Sequence, residues 1–146
     1  IAGRADLVRR CAEHPLMRAL RPGGHTILLL QEVLQTYVNR NVCESVPFWR
    51  MFVEKTDTLG SRAEKIVNST GMGRAVESVA LVGAGSAPGA SVPSWAVEID
   101  RDIVGQLRSS KVPIIARVDA GRTIIDMRTV LSPDDDEIVR ALSSLR

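Results

Sequence analysis

The sequence predicts an α/β chain in two parts: a helical first half, then a small α+β domain. Three observations carry this. Apolar residues recur at helical spacing through the first half. After "NSTGMG" (68–73) the pattern changes to short β-rich runs separated by turn signals. Within that second part, "VDAGRT" (118–123) places a glycine-containing turn between two such runs.

Each element follows from local chemistry. Residues 4–12 read as a short helix with Leu7, Val8 and Cys11 on one side. Pro15 interrupts it, and Pro22-Gly23-Gly24 breaks the chain again. From His25, apolar residues at 27, 30, 34, 37 and 38 mark a second helix, with Thr26 as its N-cap. Asn39 to Asn41 ends it, and a bulky stretch, "VPFWRMF" (46–52), follows. "TDTLGSRAEKIV" (56–67) is a further helix with Leu59, Ala63, Ile66 and Val67 in one stripe, weakened at Gly60 relative to Ala. "VESVALV" (76–82) and "PSWAVEI" (93–99) read as strands around the small-residue loop 83–91. Asp100 is placed to cap a short helix carrying Ile103, Val104 and Leu107. "VPIIARV" (112–118) and "RTIIDMRTV" (122–130) are strands joined through Asp119-Ala120-Gly121. Ser132 caps a final helix, Pro133 suits its first position, and Asp134 to Asp136 suit its positive end. The second half therefore runs β-β-α-β-β-α, with helices on one side of a sheet.

Composition narrows the function classes. The chain has 146 residues, 45% hydrophobic and 25% charged, as in ordinary soluble globular proteins. Aromatics make up only 3%, so the core must be mostly Leu, Ile, Val and Ala. A net charge of +2 gives no basis for DNA binding. No apolar run is long enough to span a bilayer, and no signal-peptide pattern opens the chain. The two cysteines, Cys11 and Cys43, lack metal-type spacing, which predicts a reduced, cytoplasmic protein.

Few residue patterns point to chemistry. Cys11, His14 and His25 are too few and wrongly spaced for a metal, so no metal site is expected. "VGAGSAPG" (82–89) has Gly-x-Gly after a strand, but a strand rather than a helix follows, unlike a dinucleotide fingerprint. Its glycines suit a loop that another segment or a ligand approaches closely. The acidic run 134–137 is explained by its place at a helix start. Arg18 and Arg21, three apart in "HPLMRALR" (14–21), share a face if helical. Two guanidinium forks so placed can grip a phosphate or carboxylate. Exposed helix arginines without a ligand have the same spacing.

Several stretches taken together resemble bacterial selenocysteine synthase, the L-seryl-tRNA(Sec) selenium transferase family. They are "GRADLVRRCAEHPLMRALR" (3–21), "VGAGSAPG", "SVPSWAVEID" (91–100) and "VPIIARVDAGRTIIDMRTVLSPDDDEIVRAL" (112–142), in the family's order. The resemblance implies a fold-type-I enzyme using pyridoxal phosphate. Such an enzyme converts seryl-tRNA(Sec) to selenocysteinyl-tRNA(Sec) with selenophosphate and works as a homo-oligomer. The family carries its cofactor on a Schiff-base lysine in a Gly-Asp-Lys segment that this sequence lacks. That lysine would lie upstream of Ile1, and Lys55, Lys65 and Lys111 stand in no such context. The fragment alone is accordingly expected to be inactive and not to bind the cofactor stably. Arg18 and Arg21 match the family's Arg-Ala-Leu-Arg, which implies a selenophosphate- or phosphate-binding role.

On this reading residues 1–55 are the tail of the cofactor-binding large domain. Residues 56–72 are a linking helix, and 73–146 the C-terminal small domain. The sequence departs from the family at "PGGHTIL" (22–28), where an acid–base pair is replaced by glycines, and at "GAGSAPG" (83–89), which lacks the middle glycine. Two other readings stand beside it. One is a fragment of a related fold-type-I enzyme acting on small amino acids or amino sugars. The other is a non-catalytic remnant or interaction module.

Overall fold

A computed structural model of the chain describes residues 2–83 and 89–145. Two units emerge, Ile1–Val46 and Pro47–Arg146.

The first unit is helical: α1 (Ala5–Glu13), α2 (Leu16–Ala19), α3 (Gly24–Val38) and α4 (Val42–Ser45). α1 ends where expected, because a residue before proline is pushed out of the helical region; His14 is extended at φ −71°, ψ 135°. α3 starts three residues earlier than a Thr26 cap would place it. Its N-cap is Gly23, so Thr26 lies inside the first turn and does not cap it. Asn39 is the C-cap, and Arg40 turns the chain away at φ 58°. The run Ile27 to Leu30 puts an apolar side chain on every side of α3. Such a helix normally lies buried, yet no residue of α1 to α4 is buried within this unit.

The second unit comprises α5 (Pro47–Val53), α6 (Thr56–Thr70), β1 (Arg74–Leu81), β2 (Ser91–Ile99), α7 (Val104–Arg108), β3 (Arg117–Asp119), β4 (Arg122–Asp126) and α8 (Asp135–Ser143). The strands form an antiparallel sheet in the order β1-β2-β4-β3. The expected β-β-α-β-β-α order is present. Side chains alternate across β2. Val97 and Ile99 join Leu59, Ala63 and Ile66 of α6 and Ile138 and Leu142 of α8 in one core. Gly60 has a tertiary reason: a Cβ there would come within 3.0 Å of the Trp95 ring.

Four local expectations are corrected. β3 has three residues and β4 five, far shorter than the β-rich runs. The Asp126 side chain accepts the Arg128 N–H at 3.1 Å and starts a 3-10 turn at Met127–Thr129. The chain leaves the ladder there, and residues 112–116 have no strand to pair with. Asp102, not Asp100, serves the start of α7, accepting the Val104 N–H at 3.1 Å. Ser132 begins a 3-10 turn, Ser132–Asp134, instead of capping α8. The hairpin turn is as expected: Asp119 pairs with Arg122 across Ala120 (φ 47°) and Gly121 (φ 77°). Among the described residues, no helix is long and apolar enough to cross a membrane.

Candidate functional site

The Arg18–Arg21 segment lies in the first unit between two helix breaks. Pro15 restarts the chain as the single turn α2, closed by the Leu20 N–H donating to the Leu16 carbonyl at 3.0 Å. Arg18 sits in that turn. Arg21 lies beyond it, in the irregular link to α3, so the shared helix face inferred from spacing is corrected: the turn ends at Ala19. Both side chains are exposed. Among the described residues, neither guanidinium has a carboxylate partner. In the second unit, Arg62, Arg74, Arg117, Arg122 and Arg140 are each paired with an acid.

α3 begins directly after this segment. Its Gly23 cap has no side chain, and no side chain caps the helix start. The glycines of "PGGHTIL" are not required by backbone strain, because Gly23 has φ −65° and Gly24 is helical. A Cβ at either would meet nothing. Their effect is to leave the positive end of α3 open to solvent.

A groove of about 570 Å³ runs beside α1 and α2, lined by Leu7, Arg10, Cys11, His14, Leu16, Met17 and Leu20. Helical spacing brings Leu7, Arg10, Cys11 and His14 onto it; Arg10 was missed by the sequence reading although it lies four before His14. Cys11 is exposed and free. The His14 Nδ1 accepts the Leu16 N–H at 3.2 Å, so that lone pair is not available to take a proton from Cys11. Among the described residues, no cluster of three His, Cys, Asp or Glu side chains is placed to hold a metal.

Lys55, Lys65 and Lys111 are all exposed. The acidic run has a structural role at Asp135, which receives Arg62. The glycine-rich stretch falls mostly at 84–88, outside the described residues. At its end Gly89 has φ 76°, and a Cβ would meet nothing, so the backbone angle and not close approach calls for glycine there.

A profile of the family described as L-seryl-tRNA selenium transferase matches residues 1–131. The chain belongs to this family. Relatives in the family include the L-seryl-tRNA(Sec) selenium transferase of Moorella thermoacetica, 33% identical over 97% of this chain and 33% of that protein. That of Carboxydothermus hydrogenoformans is 29% identical over 97% of this chain and 33% of its own length. That of Geobacter sulfurreducens is 30% identical over 99% of this chain and 34% of its own. The chain thus spans about a third of the length of the selenium transferases it matches.

Proposed function

We propose that this chain is the C-terminal part of a pyridoxal phosphate-dependent transferase that makes selenocysteinyl-tRNA(Sec) from seryl-tRNA(Sec) and selenophosphate. The full enzyme is a cytoplasmic homo-oligomer. The amine that carries the cofactor comes from the part of the enzyme preceding residue 1. The cofactor supplies an electron sink for loss of the seryl hydroxyl. This chain's own contribution is an anion grip at Arg18 and Arg21.

One observation carries the reading: the two guanidinium groups have no carboxylate partner among the described residues and stand just before the uncapped start of α3. Guanidinium forks bind tetrahedral oxyanions bidentately. Free N–H groups at a helix start favour the same charge. A selenophosphate, or the phosphate left after selenium transfer, has the matching charge and shape.

The test is to replace Arg18 and Arg21 by Ala, singly and together, in the enzyme that includes the upstream segment. Selenium transfer is expected to fall at least about tenfold per arginine, with KM for selenophosphate rising and thermal unfolding unchanged. Unchanged turnover at limiting selenophosphate would refute the role.

A further inference from the structure

Among the described residues, the Arg128 guanidinium in the second unit has no carboxylate partner; the nearby Asp126 side chain accepts its main-chain N–H instead. Arg128 is 6% exposed. Its Nε and Nη2 donate to the Pro93 carbonyl of β2 at 3.0 and 2.5 Å. Its Nη1 donates to the carbonyls of Met51, Phe52 and Glu54 at 2.9, 3.1 and 3.0 Å. Those three carbonyls close the C-terminal end of α5, where the helix dipole favours a cation. Among the described residues, its guanidinium bonds only main-chain carbonyls.

α5 packs only shallowly on the sheet. Seven residues are too few for a stable isolated helix, and none of them is buried. Phe48 and Phe52 stack and Trp49 meets both edge-on, with ring centroids 5.1 to 6.0 Å apart. A cleft of about 150 Å³ remains between Phe48, Met51 and Phe52 on one side and Ala80, Leu81 and Val92 on the other. Apolar packing of α5 on the sheet is therefore incomplete, and the Arg128 guanidinium bridges its last carbonyls to Pro93 of β2.

We propose that Arg128 is a latch that sets whether α5 is docked. Closed, the folded second unit starts at Pro47. Open, it starts at Thr56, and α5 with residues 54 and 55 moves as one piece while the sheet, α6 and α8 stay folded. The fork is essential, because a single group must reach Pro93 on one side and three carbonyls on the other.

Native-state hydrogen exchange on the 146-residue chain tests this. In the unaltered chain, the amides of Met51, Phe52 and Val53 are expected to exchange through an opening with a smaller denaturant dependence than those of α6. In Arg128→Ala their exchange should rise about tenfold or more, with α6 and α8 changing less than about twofold. Arg128→Lys should fall between, since an ammonium cannot bridge both sides. Equal acceleration of α5, α6 and α8 in the variants would overturn the latch. So would α5 amides in the unaltered chain that exchange only with global unfolding, a result that needs no variant to fold.

Discussion

Arg62 on α6 grips Asp135 in the first turn of α8 through two parallel bonds, Nε to Oδ2 at 2.8 Å and Nη2 to Oδ1 at 2.6 Å. The same guanidinium reaches the Val130 carbonyl at 2.9 Å. One nearly buried arginine thus joins α6 to α8, the last helix of the second unit. Asp135→Ala would leave that charge without its acid, at a cost of about 3 kcal/mol. Asp136→Ala removes only an exposed charge from the same helix start and should cost about 0.5 kcal/mol. Equal losses in urea unfolding would show that the acidic run acts through the helix dipole alone.

Gly60→Ala sets helix propensity against packing. Propensity favours Ala by about 1 kcal/mol. The new methyl would stand 3.0 Å from Trp95 Cε2 and 3.2 Å from Cδ2. The expected outcome is a net loss of about 1 kcal/mol, because the ring must shift within a packed layer. In a Trp95→Val background the sign should reverse. A double-mutant cycle with no coupling would refute the contact as the reason for glycine.

The apolar faces of α3 should make the 146-residue chain self-associate. Ile27, Leu30 and Leu34 are more than half exposed, at 54%, 56% and 53%, and a contiguous patch of this kind seeks a partner. Sedimentation velocity should show concentration-dependent species. Leu30→Glu with Leu34→Glu should shift the distribution toward monomer. A wild-type chain that sediments as a clean monomer and melts sharply would contradict this.

Acid should weaken α8 through Glu137. A side-chain hydrogen bond from Arg140 holds the Glu137 carboxyl below its ordinary value of 4.5. The folded chain then binds that proton less tightly than the unfolded one. The pair's contribution is complete above the ordinary carboxylate range and is lost as pH falls through the depressed folded value. Carboxyl chemical shifts should give a Glu137 midpoint below 4.5 that rises in Arg140→Ala. An unchanged midpoint in that variant would remove Arg140 as the cause.

Much of the fold was legible because its signals are local. The stripe of Leu59, Ala63 and Ile66 marked α6, and those residues are at most 2% exposed. The Asp119-Ala120-Gly121 turn marked the β3–β4 hairpin, since glycine supplies the positive φ that a tight two-residue loop calls for. Cap positions failed for a physical reason. Thr26, Asp100 and Ser132 each have the right chemistry, but the helices start two or three residues away from where they would cap, which puts the orphan N–H groups out of reach. The candidate site was half legible. Arg18 and Arg21 stood out by spacing and resemblance, while their separation by the end of α2 depends on where Leu20 closes a turn.

By itself, the sequence determined the β-β-α-β-β-α order of the second half, the stripe that faces the core and the family, because apolar period, turn residues and motif order are properties of neighbours along the chain, whereas the short helices α2, α4 and α5 carry too little periodic pattern to be read from it. The tertiary structure alone decided the partners: Asp135 for Arg62, the Trp95 ring for Gly60, and the α5 carbonyls for Arg128, 74 to 77 residues away. Nothing in the local pattern distinguishes these arginines from exposed ones. What sets them apart is burial, which obliges a guanidinium to find an acceptor for its charge wherever the fold places one.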